Sequence, residues 1–135
     1  MRRERVLKVV LMLVGLFFVA GTYPIVMYLW QPGNEPPGDT MMLSLYVTLG
    51  IFLLLAVENP SAHRSLIAYA GWANVAHGAV MAVMTVRIPK DHEGFLGAAF
   101  LAVSIGVVLI ALAPAKLPGE QNRYPSRTAK DASPA

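Results

Sequence analysis

Four long stretches of this chain contain no Asp, Glu, Lys or Arg, and this feature restricts the possible folds more than any other. The stretches are residues 9–30, 41–57, 65–86 and 95–113. An amphipathic helix of a soluble protein carries charged residues on its outer face, so it could not avoid charge over such a length. Each stretch falls within the roughly 17 to 25 apolar residues that a helix needs to cross a bilayer. Composition agrees, because 56% of the residues are hydrophobic and 14% are charged.

The hydrogen-bonding needs of the backbone decide the secondary structure of these stretches. In hydrocarbon an open strand leaves N–H and C=O groups without partners, whereas a helix pairs them internally. We therefore predict an all-α integral membrane four-helix bundle within residues 1–116. Its spans are expected at about residues 7–30, 41–57, 63–86 and 95–113. Residues 117–135 are polar and rich in Pro, Ser, Arg and Lys, which predicts a flexible cytoplasmic tail.

The distribution of basic residues predicts the orientation in the membrane. Of the 11 Lys and Arg residues, all but Arg87 and Lys90 would lie on the side of the two termini. Cytoplasmic loops carry the excess of Lys and Arg, so both termini are predicted to be cytoplasmic. The expected location is the cell inner (plasma) membrane, which the chain would cross several times.

The first stretch also shares features with a cleavable signal peptide. Arg2, Arg3 and Arg5 precede it, and the small residues Ala20 and Gly21 resemble a cleavage site. However, the apolar run continues for about ten residues beyond them, well past a signal core of roughly 7 to 15 residues. A retained signal anchor fits this length better.

Two prolines predict local features of the helices. Pro24 has no N–H and leaves the carbonyl of Ala20 without its donor, so we expect the first helix to kink there. Asn59 is a favourable N-cap and Pro60 suits the first helical position, so the third helix is expected to begin at Pro60. A search for internal duplication is negative, because the first and third stretches share no residue pattern beyond hydrophobicity. An inverted repeat is therefore not supported.

The third stretch carries the most unusual polar side chains, His77 near mid-span and Asn74 one turn earlier. Polar groups at that depth are costly in hydrocarbon, so they should face other helices or a cavity. One interpretation is a ligand or proton-relay site, to which Thr22 and Tyr23 beside the kink would contribute. The other is a pair of structural hydrogen bonds across the bundle, worth about 0.6 kcal/mol each. We favour the structural interpretation, because no intramembrane carboxylate is available to pair with His77.

A second group of polar residues, Glu58, His63 and Arg64, is predicted to cluster at the inner surface. There Glu58 could pair with Arg64 or interact with the N-terminus of the third helix. A haem held by two histidines would need a second intramembrane histidine facing His77, whereas His63 and His92 are predicted at the surface. Cysteine is absent, which excludes thiolate metal sites. Neither a metal nor a cofactor is expected.

Two runs of sequence resemble a family of small bacterial four-helix membrane proteins of unknown function. They are residues 41–46 (MMLSLY) and 58–66 (ENPSAHRSL), followed by Ala and His at 76–77. More loosely, a basic N-terminus followed by Val-Gly-Leu at 14–16 and Ala-Gly at 20–21 is similar to the DoxX-like proteins. The resemblance implies a bacterial inner-membrane location and no activity. Small multidrug transporters share the size and topology, but they rely on a glutamate within the first span, which this chain lacks.

The leading functional hypothesis is a non-enzymatic accessory or interaction subunit. Its partners would be the lipid bilayer and a membrane protein or a second copy of this chain. The alternatives are a small transporter or ligand-binding bundle that uses His77 and Asn74, and a haem or quinone redox subunit. No nucleophile–base pair or carboxylate pair is expected at a shared depth, so no catalytic residue is predicted. The net charge of +3 arises at helix ends and tails, where lipid headgroups would meet it, so nucleic acid is not an expected partner.

Overall fold

The computed structural model of the protein describes residues 2–33, 36–88 and 92–115. These residues form five helical segments and no strand. The segments are α1 (Arg2–Ala20), α2 (Thr22–Trp30), α3 (Pro37–Ala56), α4 (Arg64–Arg87) and α5 (His92–Leu112). The tail predicted at residues 117–135 lies outside the described residues.

Four helices in this part of the chain are long and apolar enough to cross a membrane, when α1 and α2 are counted as one. They are Arg2–Trp30, Pro37–Ala56, Arg64–Arg87 and Glu93–Leu112, with mean hydropathies from 1.3 to 2.7. Large apolar side chains such as Leu13, Leu45 and Phe100 lie exposed on the outside of the bundle. An outer surface of this kind is stable against lipid tails and not against water. The predicted all-α, four-helix architecture is confirmed.

The first membrane-length helix is interrupted where its proline predicts. Gly21 separates α1 from α2, and its N–H donates to the carbonyl of Phe18 at 3.0 Å. This hydrogen bond reaches back three residues, as in a 3₁₀-helix, instead of the four of an α-helix. The next turn is held only by a long bond of 3.4 Å from the Ile25 N–H to the Gly21 carbonyl. Pro24 has no N–H to offer the Ala20 carbonyl, which explains the break.

The turn between α3 and α4 differs from the sequence-based prediction. The Asn59 side chain does act as a cap, because its Oδ1 accepts a hydrogen bond from the Ala62 N–H at 3.3 Å. However, the residues from Pro60 to His63 form turns, and the regular helix begins at Arg64 instead of Pro60. Asn59 therefore caps the turn that precedes α4, whereas the N-cap of α4 itself is His63, so the predicted N-cap and start of the third helix are both wrong. The first turns after a cap are often of the tighter 3₁₀ type, which sequence rules do not separate from α-helix.

Glycine contacts join the helices into two hairpins, α1 with α3 and α4 with α5. In the first hairpin, a Cβ built on Gly50 would lie 2.8 Å from the carbonyl oxygen of Gly15. In the second, a Cβ built on Gly106 would lie 2.6 Å from the carbonyl oxygen of Gly71. Real side chains cannot occupy these positions without movement, so the glycines allow the helix backbones to approach closely.

The two hairpins are a direct duplication with a register of 56 residues. Gly15 and Gly50 correspond to Gly71 and Gly106 in this register, and residues 47–54 (VTLGIFLL) correspond to residues 103–110 (VSIGVVLI). Side-chain hydrogen bonds also correspond. Thr48 donates to the Ser44 carbonyl at 3.0 Å, and Ser104 donates to the Phe100 carbonyl at 2.7 Å.

This duplication corrects the negative search for internal duplication made from the sequence. That comparison paired the first and third spans, whereas the clearest similarity lies between the second and fourth. Both hairpins begin on the same side of the bundle, so the repeat is direct and not inverted. The four large apolar side chains buried completely in the described bundle are two equivalent pairs, Leu11 with Ile67 and Leu53 with Leu109.

The buried core joins the two hairpins at the end of the bundle where α1 begins and α5 ends. Leu7 and Leu11 of α1 pack there with Ile67 of α4 and Leu109 of α5. At the same end the Arg3 guanidinium donates to the carbonyl oxygens of Ala111 at 2.8 Å and Ala113 at 3.3 Å. These bonds satisfy carbonyls that the end of α5 leaves without donors. In the opposite half of the bundle a cleft lies between the hairpins.

Candidate functional site

The cleft between the hairpins is a cavity of about 580 Å³. Small-molecule sites typically have volumes of about 300 to 1,000 Å³ and mostly apolar walls with a few polar groups. Most of the residues around this cleft are apolar. The lining includes Phe18, Gly21 and Pro24 from the first span, Met42 and Tyr46 from α3, Asn74, His77 and Met81 from α4, and Ala98, Ala102 and Ile105 from α5.

Asn74 provides the most deeply buried polar group of the cleft, with 1% of its surface exposed. Its Nδ2 donates to the carbonyl oxygen of Ala70 in the preceding turn at 2.8 Å. An amide has two N–H donors and one oxygen acceptor, so this bond uses one of its groups and fixes the orientation of the side chain. Asn74 makes no other side-chain hydrogen bond with a described residue. The second N–H and the oxygen of the Asn74 amide therefore lie beside the cavity.

His77 lies one turn further along α4 and contacts an aromatic side chain of the other hairpin. The ring centroids of His77 and Tyr46 are 5.4 Å apart, with an interplanar angle of 60°. Tyr46 in turn meets Phe18 at 5.0 Å and 72°. Edge-to-face arrangements of this kind are favourable because the positive edge of one ring faces the negative face of the next. The three rings thus connect α1, α3 and α4 along one wall of the cleft.

Tyr46 is a site residue that the sequence analysis missed. It occurs within an apolar stretch, where a tyrosine is readily taken for packing or for an interfacial anchor. The feature of the sequence that could have identified Tyr46 is its depth within the second span. Tyr46 lies seven residues after Asp39 in α3, about 10 Å further into the span at 1.5 Å per residue.

Several positions that line the cleft carry different residues in the two repeats. Four equivalent pairs all contribute to the lining: Phe18 with Asn74, Gly21 with His77, Met42 with Ala98, and Tyr46 with Ala102. The glycines at the close helix contacts, Gly15 with Gly50 and Gly71 with Gly106, are kept in both repeats. The first repeat provides aromatic rings and the second provides polar groups and small residues.

A family model matches residues 3–127 of the chain, which is most of its length. The chain belongs to the DUF6632 family. The family is described as one of unknown function. No curated protein and no solved structure matches the chain. The expected membership of a family without an assigned function is confirmed, and the match includes both hairpins of the DUF6632 fold.

Two of the four residues predicted for the ligand site lie apart from the cleft of this DUF6632 protein. Asn74 and His77 line it together, whereas Thr22 and Tyr23 do not. Tyr23 is 72% exposed and Thr22 is also exposed, so both are directed toward the surroundings of the bundle. The break in the first span instead brings Gly21 and Pro24 to the cleft.

The predicted inner-surface cluster lies at the other end of the DUF6632 bundle. Glu58 and His63 are exposed, and Arg64 is half-buried at the start of α4. The described residues contain no ion pair between Glu58 and Arg64. Instead, Lys8 pairs with Glu4 at 3.3 Å and donates to the backbone carbonyl of Glu58 at 3.4 Å. A second, smaller cavity of about 230 Å³ lies at this end, and its lining includes Arg3, Glu4 and Ser61.

The structure separates the histidines of the DUF6632 chain by depth. His63 precedes α4 and His77 lies about 21 Å further along the axis at 1.5 Å per residue. No cluster of three or more His, Cys, Asp or Glu residues suited to a metal occurs in the described ranges. The side chain of His92 lies outside the described part.

Proposed function

We propose that this DUF6632 protein binds a small, largely apolar molecule of the membrane in the cleft between its two hairpins. It would act as a small transporter or ligand-binding bundle, not as an enzyme. The observation that carries the proposal is a cavity of about 580 Å³ beside Asn74, whose side chain is 1% exposed. Burial of an amide in a membrane is costly, and a ligand in the cleft would recover part of that cost.

The divergence of the repeats supports a binding role over a packing role. If the bundle served packing alone, equivalent positions at the centre would be expected to carry similar apolar residues. Instead the central pairs combine Phe18 with Asn74 and Gly21 with His77, while the outer packing glycines are kept. These differing pairs lie where a ligand would be contacted.

The orientation proposed from the basic residues places the cleft toward the outer face of a bacterial inner membrane. Both termini would be cytoplasmic, and the core that joins the hairpins would lie in the inner half. The lining residues Pro24 and Asp39 lie at the opposite, outer end of their spans. The loose similarity to DoxX-like proteins is compatible with this location and adds no substrate.

The test fills the cleft with side chains that the fold already accommodates. Ala102→Tyr and Ala98→Met place in the second repeat the residues found at the equivalent positions of the first. The control, Ala79→Met, adds the same side chain at an exposed position of α4. Native mass spectrometry of the protein in lipid nanodiscs should detect a retained small molecule in the wild type and the control. Both cleft variants should retain at least tenfold less. A wild type without a bound molecule, or equal retention by all variants, would contradict the proposal.

A second candidate function, an accessory subunit, is favoured by two aromatic residues on α4. Tyr69 and Trp72 are 65% and 63% exposed in the span, whereas the equivalent residues of the first repeat are Leu13 and Leu16. Tyrosine and tryptophan normally prefer the membrane interfaces. Trp72 lies about 12 Å beyond the start of α4 at 1.5 Å per residue, and this depth would suit contact with another membrane protein or a second copy. Copurification in mild detergent tests this function, and replacement of Trp72 by Leu should abolish it.

A further inference from the structure

We infer that the ligand of the cleft is an uncharged, planar molecule that carries a hydrogen-bonding polar group, such as the oxygen of a ring ketone. This inference rests on the proposed function and specifies its substrate class.

The charge of the ligand follows from the residues available to meet it. Asn74, His77 and Tyr46 are formally uncharged, and the charged residue among those lining the cleft is Asp39, which is exposed in the first turn of α3. A charged group deep in a membrane protein needs a partner of opposite charge or a water-filled path. The inner part of the cleft provides no such partner among its described lining residues. A neutral ligand is the one that this surface can hold.

The polar group of the ligand follows from the hydrogen-bonding groups beside the cavity. Asn74, His77 and Tyr46 can each donate a hydrogen bond, and each can also accept one. The bond from Asn74 to the Ala70 carbonyl holds the amide in place. Neither His77 nor Tyr46 makes a side-chain hydrogen bond within residues 2–33, 36–88 and 92–115. A polar group on the ligand, such as a carbonyl oxygen that accepts from one of these side chains, would pair with groups that would otherwise face an apolar cavity.

The planar shape follows from the two unlike walls of the cleft. On one side the rings of Phe18, Tyr46 and His77 form a continuous aromatic row. On the other side the lining includes the small residues Ala98 and Ala102 of α5. A flat molecule between these walls would contact aromatic rings on one face and small residues on the other.

The experiment uses benzophenone, a neutral diaryl ketone that crosslinks to nearby C–H groups on illumination, with the full chain in lipid nanodiscs. The chain provides internal controls, because Met42 and Met81 line the cleft whereas Met12 and Met27 are exposed to lipid. Mass spectrometry of the digested wild type should find adducts at the cleft methionines. The substitution Ala102→Tyr should reduce the yield of these adducts at least tenfold. Adducts at the lipid-facing methionines should not change. A melting curve checks that the variant is folded, and Ala98→Met provides a second, milder replacement.

Competition with a matched pair of molecules tests the substrate class separately. Fluorenone and fluorene have the same planar rings, but only fluorenone has a carbonyl. Fluorenone should suppress the benzophenone adducts in the cleft at a concentration about five- to tenfold lower than fluorene, because one additional hydrogen bond would raise its affinity by about that factor. His77→Leu combined with Asn74→Leu should remove that difference while cleft adducts persist.

The outcomes distinguish the inference from the function on which it rests. Absence of cleft-specific adducts would overturn the proposed function. If fluorenone and fluorene competed equally for the cleft adducts, binding would stand and the hydrogen-bonding polar group of the ligand would be overturned. Better competition by the cation tetraphenylphosphonium than by fluorenone would overturn the uncharged class.

Discussion

Single residues at the two ends of the bundle perform different tasks. At the end where α1 begins and α5 ends, Arg3 connects the first helix to the last through two main-chain carbonyls, those of Ala111 and Ala113. In the cleft, the Asn74 side chain bonds within its own helix, and its other N–H and its oxygen lie beside the cavity. The contacts of Arg3 stabilise the fold, whereas the remaining groups of Asn74 suit a residue that binds a ligand.

The role of Arg3 predicts a loss of stability on its removal. Arg3→Ala should reduce the free energy of unfolding by about 1 kcal/mol, because two charge-assisted hydrogen bonds to the end of α5 are lost at an exposed site. Thermal unfolding of the purified protein in detergent measures the change. The matched control is Arg2→Ala, which removes the same charge from an exposed residue for which no side-chain hydrogen bond is seen in the described chain. Equal effects of the two substitutions would show that charge, and not the carbonyl contacts, matters.

The candidate site was only partly predictable from individual residues. His77 and Asn74 stand out in the sequence because a polar side chain in an apolar run needs an explanation. Tyr46 was missed because tyrosine occurs in membrane helices for several reasons. Thr22 and Tyr23 were grouped with the site because they adjoin Pro24. Their direction around the helix axis depends on how the broken first span packs against α3, which neighbouring residues in the sequence do not specify.

At the scale of the elements, the close approach of paired helices depends on glycine. Gly50 lies against the backbone of α1 at Gly15, and Gly106 lies against the backbone of α4 at Gly71. Small residues within a span favour close contact between helices, but their positions in the sequence do not show which of them face each other. The pairing also revealed the duplication, because the same contact recurs in both hairpins with the same spacing.

The glycine contacts predict matched effects in the two hairpins. Gly50→Ala and Gly106→Ala should each destabilise the bundle by about 1 to 3 kcal/mol, because the new methyl group would overlap the facing backbone. Gly97→Ala is the control, since a Cβ on Gly97 meets nothing within 4 Å. It should leave the thermal midpoint unchanged or slightly raised, because alanine favours a helix. If all three variants melted alike, the close contacts would not determine hairpin stability.

At the scale of the whole molecule, two equivalent hairpins share a core at one end and enclose a cleft at the other. The core residues Leu11, Ile67, Leu53 and Leu109 hold together the end where α1 begins and α5 ends. Equivalent residues of both hairpins line the cleft, as Phe18 with Asn74 and Tyr46 with Ala102 do. Because these pairs differ, the two similar hairpins form one asymmetric site.

The orientation of the whole molecule gives a further prediction. Because the basic residues are concentrated on the side of the termini, a reporter fused after Ala135 should be active in the cytoplasm. The same reporter fused after Gly33, in the connection between α2 and α3, should report the outer side. Paired fluorescent-protein and alkaline-phosphatase fusions measure this. The opposite pattern would show the reverse orientation in the membrane, with the cleft toward the cytoplasm.

The sequence by itself determined the medium and the elements: four uncharged stretches long enough to cross a bilayer, each obliged to be helical because hydrocarbon offers no partner for the backbone. It also determined the break at Pro24, since this depends on residues within one turn. Only the tertiary structure decided which helices pair, that the pairs repeat, and that Tyr46 joins Asn74 and His77 at one cleft. These features depend on how helices rotate and pack against one another, and an apolar surface that is similar on all sides leaves that rotation undetermined in the sequence.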